Sequence, residues 1–173
     1  MFHKTYNWGF QTEAEAHLNG RRIYQPRGRT LGGSSSINGL IYIRGQARDY
    51  DEWAALGNPG WSWEKCLPYF KKLEHNDLPD APTRGRQGAL WASSINVRHP
   101  LVDAFIEASR LNGVPLTRDF NDGTQEGVGY YQLTTRRGFR CSTSVAYLRP
   151  ARKRRNLTVK TGAQVMRILF QER

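Results

Sequence analysis

The stretch RGRTLGGSSSINGLIYIRGQARDYDEW, Arg27 to Trp53, places Gly32, Gly33 and three consecutive serines directly in front of a run of apolar residues. Gly/Ser composition of this kind suits a flexible linker. The flanks argue otherwise. Leu31 precedes the glycines, and Ile37, Leu40, Ile41, Tyr42 and Ile43 follow at once, so the loop is drawn into a core. Successive small residues leave backbone N–H groups unshielded, and a nest of such groups opening into a helix suits phosphate oxygens. Arg27 and Arg29 add positive charge nearby. A larger side chain at Gly32 or Gly33 would hold a ligand away from the backbone.

Downstream, helix signals occupy the middle of the chain and strand signals its ends. DYDEWAALG offers Asp49 or Asp51 as N-cap and Gly57 as a stop. Ser62 can cap WEKCLPYFKKLE, whose Trp63, Leu67, Phe70 and Leu73 share one helical face, with Trp61 and Trp63 as packing anchors. Pro68 should kink this helix or move its start. HPLVDAFIEASRLNGVP carries Pro100 in its first turn, an apolar stripe of Leu101, Phe105, Ala108 and Leu111, and Gly113 as a stop. DLPDAPTRGRQGALW reads as a surface connection into a short strand near Ala89 to Ala92. GVGYYQLTTRRG alternates as a strand and turns at Arg137 and Gly138. NLTVKTGAQVMRILFQER reads as two short strands separated at Thr161 and Gly162. The fold class expected is α+β.

A chain of 173 residues can form one ordinary domain. Its 26 Lys and Arg against 15 Asp and Glu leave a net charge of +11, compatible with nucleic acid, an acidic surface or an anionic cofactor. Cys66 and Cys141 stand far apart, with no metal-ligand or disulfide spacing, which points to a reducing cytoplasm. No apolar run is long enough to span a bilayer, and the start MFHKTYNWGF lacks the order of a secretory signal.

GRTLGGSSSINGLIYIRGQARDYD, Gly28 to Asp51, resembles the first signature of the glucose-methanol-choline (GMC) oxidoreductases and meets every constrained position of it. The resemblance continues through WAALGNPGWSWEKCLPYFKKLE, the helix after His99, GVGYYQLTTRRGFRCSTSVAYL and NLTVKTGAQVMRILF, and is strongest toward bacterial choline dehydrogenases and related dehydrogenases of primary alcohols. It implies an FAD-dependent enzyme acting on the CH–OH group of alcohols. Gly32, Gly33, Ser34 and Ser35 would lie along the FAD pyrophosphate and ribityl chain. Asn38, Gly39, Leu40 and Ile41 would run beside the isoalloxazine ring, and the Val165 backbone would address the adenine end. Some relatives attach FAD through a histidine one position before this asparagine. Ile37 stands there in this chain, so noncovalent FAD is expected.

The family's opening Gly-x-Gly-x-x-Gly unit is not found, since GVGYYQ lacks the third glycine. Neither are its second signature and its C-terminal catalytic His pair or His/Asn pair. The chain therefore resembles an internal piece of a longer enzyme and is expected to be inactive alone, with no catalytic residue and no metal ligand assigned. Residues 1–60 would contribute to an FAD-binding domain, 61–150 to the start of a substrate-binding region, and 151–173 would return to the FAD-binding domain. A small alcohol is the expected substrate. His3, His17, His75 and His99 are scattered, with His99 read as the residue that opens a helix. Arg140, Ser142 and Thr143 are read as capping the helix that holds Ala146 and Tyr147, the other reading being polar contacts near the cofactor. The basic run ARKRRN, Ala151 to Asn156, reads as a solvated connection. A basic module for nucleic acid or an anionic surface is the competing class, although the chain carries no recognisable nucleic-acid motif.

Overall fold

The computed structural model describes residues 3–79 and 81–171. Its first long helix, α1 (Ala47–Ala55), begins two residues before the expected Asp49 cap. Asp49 acts from inside the first turn, where Oδ2 accepts from the Gln46 N–H at 2.7 Å. Asp51 serves the next helix instead: its Oδ1 accepts from the Trp63 N–H at 2.9 Å and opens α2 (Trp63–Leu73). Ser62 holds the N-cap position of α2 but makes no side-chain cap bond, so the expected acceptor is supplied from a distance. Pro68 lies within α2 without ending it. The two helices meet through aromatic rings, with Tyr50 5.7 Å from Trp53, 5.5 Å from Trp63 and 5.6 Å from Phe70. Trp61 joins edge-on to Trp53 at 5.8 Å, as expected of a packing anchor.

Two-residue strands β1 (Phe10–Gln11) and β2 (Tyr24–Gln25) pair antiparallel near the start. From the end of α2 the chain passes directly into β3 (Glu74–Asn76), which pairs in parallel with β4 (Leu90–Ala92). Their connection runs so close to α2 that a Cβ at Gly85 would strike the Lys71 carbonyl, and one at Gly88 would strike the Leu73–Glu74 backbone. Only glycine permits this approach.

The third helix, α3 (Pro100–Leu111), starts as expected, with His99 Nδ1 accepting from the Leu101 N–H at 3.2 Å. Its orientation differs from expectation. Leu101, Phe105 and Leu111 face outward, whereas Ile106 and Ser109 are turned inward. The stripe is apolar, but no described element covers it.

Hairpin β5 (Thr135–Arg136) and β6 (Phe139–Arg140) turns where the sequence predicts. Arg137 (φ 51°) and Gly138 (φ 80°) are both left-handed, the backbone of a turn whose twist matches antiparallel strands. The rest of GVGYYQLTT is held by isolated bridges, Leu116 to Val128, Ile41 to Leu133 and Ser93 to Leu133. A π-helical turn, Ser144–Leu148, then leads into a short α-turn, Arg149–Ala151. The two strands expected in the tail do not form. Leu157 to Gln171 has no sheet partner among the described residues, and Val165, Met166, Ile168, Leu169 and Phe170 are each at least 74% exposed. Strand propensity needs a neighbouring ladder to accept the backbone groups, and none lies beside this segment.

The chain exposes 13784 Å², against about 8,600 Å² for a compact monomer of its size. Among the described residues the buried apolar ones are Ala92, Phe120, Cys141 and Ala146, while nine polar or charged residues are buried. The centre is therefore ionic. Glu74 Oε1 forms an ion pair with Arg44 Nη2 at 2.6 Å and accepts from Arg84 Nε at 2.9 Å and from the Gly85 N–H at 2.7 Å. Arg84 Nη1 also reaches Asp119 Oδ1 at 2.6 Å. Two arginines and two carboxylates balance, as burial demands. Burial alone would push the Glu74 carboxyl up, but Arg84, Arg44 and the Gly85 N–H together outweigh it and hold it below the ordinary value. The nearby Tyr42 phenol is pushed up to about 12, chiefly by burial, with the Glu74 charge adding to it against the pull of Arg44.

Candidate functional site

The signature segment runs directly into this cluster. The Arg44 N–H donates to Asn121 Oδ1 at 2.7 Å, and the Tyr42 N–H to the Gln132 carbonyl at 2.9 Å, so the far end of the loop is fixed. Its near end folds into a 3₁₀ turn, Gly33–Ser36. Gly32 (φ 89°) and Gly33 (φ 54°) both take left-handed backbone, which glycine adopts without strain. They differ in surroundings. A Cβ at Gly32 would strike Ser36 Oγ and meet Ser144 Cβ at 3.0 Å, whereas one at Gly33 would meet nothing within 4 Å. Gly32 faces the protein and Gly33 faces open space.

The serine hydroxyls fasten this backbone to itself. Ser34 Oγ accepts from the Gly28 N–H at 3.2 Å, Ser35 Oγ donates to the Gly32 carbonyl at 2.5 Å, and Ser36 Oγ donates to the Leu31 carbonyl at 2.8 Å. Beyond the turn, Asn38 and Gly39 are exposed, and Leu40 has φ 70°, a conformation that costs a bulky side chain. It is held there by Thr134, whose N–H and Oγ1 both donate to the Leu40 carbonyl, at 2.8 and 3.1 Å. Ile41 is half exposed and bridges to Leu133.

Two of the residues expected to cap a helix do something else. Arg140 Nη1 donates to Asn38 Oδ1 at 2.7 Å and to the Ser35 carbonyl at 3.1 Å, and its Nη2 donates to the Asn38 carbonyl at 2.9 Å. The Thr143 N–H donates to Ser35 Oγ at 3.0 Å, and Thr143 Oγ1 lies 3.3 Å from the Gly32 carbonyl. Only Ser142 behaves as a cap, its Oγ accepting from the Val145 N–H at 3.4 Å. The segment after β5 is thus a clamp on the glycine loop. The sequence singles out Arg140 but not its partner Asn38, because the pairing brings together residues 102 positions apart.

Two clefts flank the loop. One, about 410 Å³, lies between Gly28–Leu31 with Trp8 and the tail residues Lys160–Gln164. The other, about 350 Å³, is lined by His3, Tyr6, Thr30, Ser36, Ile37 and Arg140. Of the residues expected at the cofactor, Gly32, Gly33, Ser34 and Ser35 lie in or beside the 3₁₀ turn and Asn38, Gly39, Leu40 and Ile41 follow it, with Ser34, Asn38, Gly39 and Ile41 exposed. Val165 lies just past the first cleft, 75% exposed and outside its lining. Among the described residues no helix is long and apolar enough to cross a membrane.

Comparison with known proteins covers this segment together with the rest of the chain. The profile of the GMC oxidoreductases matches residues 9–173. The oxygen-dependent choline dehydrogenase of Vibrio vulnificus is 46% identical over the whole chain, which spans 31% of that protein. The mitochondrial choline dehydrogenase of Homo sapiens is 45% identical over 96% of the chain and 28% of its own length. Among solved structures, pyridoxine 4-oxidase from Mesorbium loti superposes with a TM-score of 0.86 at 35% identity, over 92% of this chain and 32% of that one. The chain therefore spans about a third of the length of the relatives it matches, and it belongs to the GMC oxidoreductase family.

Proposed function

We propose that this chain forms part of the flavin-binding wall of an FAD-dependent oxidoreductase of the choline or primary-alcohol dehydrogenase type. The observation that carries the reading is the asymmetry of the glycine pair. Gly32 is packed against Ser144 while Gly33 opens outward, so backbone, not side chain, borders the space beside the loop. The residues fit the group. Gly32 to Ser35 would follow the pyrophosphate and ribityl chain, with Gly33 presenting the open backbone, and Asn38 to Ile41 would border the ring. When bound, FAD supplies the two-electron acceptor for oxidation of an alcohol carbon. The chain's own part is to bind, orient and shield. The serines and Thr143 keep the loop in one conformation, and Thr134 holds Leu40 in its costly backbone state. Val165 would serve the adenine end in the same assembly. Residues 1–60 and 151–173 would belong to the flavin-binding unit and residues 61–150 to the substrate side, in a reducing cytoplasm where both cysteines stay free thiols.

With Ile37 in the position before Asn38, no imidazole is offered for a covalent link. The full-length protein carrying this chain is therefore denatured with acid and centrifuged. Intact FAD in the supernatant is expected; yellow colour retained in the pellet would overturn noncovalent binding. Absence of flavin beside tight, salt-resistant DNA binding would overturn the enzyme reading. The 173-residue chain alone is expected not to turn over choline or a primary alcohol with added FAD and a dye acceptor. Turnover would show that it suffices.

A further inference from the structure

We infer that Arg140 is a positioning residue that sets Asn38 as a hydrogen-bond donor toward the ligand, an inference that rests on the flavin reading above. An asparagine amide presents one acceptor and one donor group, and its role depends on which end is already engaged. Here the acceptor end is engaged twice: Asn38 Oδ1 receives Arg140 Nη1 at 2.7 Å and the Leu40 N–H at 3.2 Å. The Asn38 carbonyl and the Ser35 carbonyl take the remaining arms of the same guanidinium, so the amide cannot turn over without breaking a forked, charge-assisted contact. Arginine has no acceptor, which makes the assignment of Oδ1 toward Arg140 unambiguous. The Asn38 Nδ2 group therefore points away from the clamp, exposed and without a partner among the described residues. It offers N–H to an acceptor such as a carbonyl oxygen or unprotonated ring nitrogen of the isoalloxazine. Arg140 also lines the 350 Å³ cleft beside Ser36 and Ile37, next along the chain to Asn38.

A structural tie and a positioning device make opposite predictions for Asn38→Asp. A carboxylate would strengthen the pair with Arg140 yet present only acceptors to the ligand. Apo full-length protein is titrated with FAD, following flavin fluorescence, and its melting temperature is recorded without flavin. Asn38→Asp should raise the melting temperature and weaken FAD binding by more than tenfold. Asn38→Ala and Arg140→Gln should each weaken binding by about tenfold. The double variant should lose about the same tenfold rather than a hundredfold, because Arg140 acts through Asn38. Unchanged affinity in Asn38→Asp, or additive losses in the double variant, would overturn the inference while leaving the flavin reading intact. Should Arg140→Gln fail to fold, Asn38→Asp with Arg140 in place decides alone. If the unaltered protein binds no FAD, the reading and the inference both fall.

Discussion

The glycine loop and the ionic centre are neighbours in sequence, separated by little more than Ile43, and they are held by opposite means. The loop is fixed by hydrogen bonds to neutral backbone from Ser34, Ser35, Ser36, Thr134 and Thr143, with Arg140 its one charged clamp. The centre is held by four full charges closed to solvent. The difference reflects what each must leave open. A site needs shape with donors to spare, so many modest bonds fix its backbone and one face stays bare. A centre with little apolar burial relies on charges that are strong only when all are present, and losing one leaves its partners desolvated.

The sharpest way to break this contrast is Glu74→Ala in the full-length protein. It strands Arg44 in the interior and leaves Arg84 with Asp119 as its one remaining carboxylate, and a loss of about 3–5 kcal/mol is expected, read as a large fall in melting temperature by circular dichroism. A variant that melts normally but sheds flavin would show that the centre belongs to the site. Acid should act on the same group. The folded Glu74 carboxyl lies below its ordinary value of 4.5, so its contribution is complete above that pH. It disappears as the pH falls through the lower folded value. Stability measured by denaturant titration should therefore be flat from neutrality to about pH 5 and decline below, and a Glu74→Gln protein should show a shallower decline. Stability that rises toward acid would contradict the assignment.

Gly33→Val sharpens the other side of the comparison. The left-handed backbone costs about 1–2 kcal/mol with a branched side chain, while nothing within 4 Å resists the added atoms. Melting temperature should fall modestly and flavin content strongly. Full flavin occupancy would mean that the loop borders something else. The smallest effect is expected at Asp49→Ala, which removes the bond to the Gln46 N–H and should cost about 1 kcal/mol, with flavin retention unchanged. A loss of flavin there would tie α1 to the site.

The sequence discloses elements whose causes are local. His99 and Pro100 open α3, Arg137 and Gly138 make the hairpin turn, and the signature at Gly28 to Asp51 identifies the family by residue type and spacing. It is less informative where a residue's role depends on distant partners. Arg84 falls in the stretch read as a surface connection yet is buried, and neither it nor Arg44 shows its role until Glu74 and Asp119 are brought beside them. Arg140 reads as a cap because the loop it grips is 102 positions away. For the tail and for α3 the pattern is apolar, but apolarity reports what would be buried, not what is present to bury it. Val165 and Phe105 stay exposed for that reason.

The reach of the ionic centre also has a kinetic meaning. The Arg44–Asn121 bond closes a loop of 77 positions, and Gln125 Nε2 reaches the Arg44 carbonyl across 81. Contacts so distant along the chain form late, because the entropy of closing the loop precedes any reward. During synthesis, Arg44, Glu74 and Arg84 emerge well before Asp119, and for that interval this cluster holds two cations for one carboxylate. The region from Arg44 to Gly88 should therefore stay open to protease in ribosome-arrested chains ending before Asp119, and become protected together once Asn121 has emerged. Protection growing gradually with length would instead mean that the helices assemble first and the charges arrive afterwards.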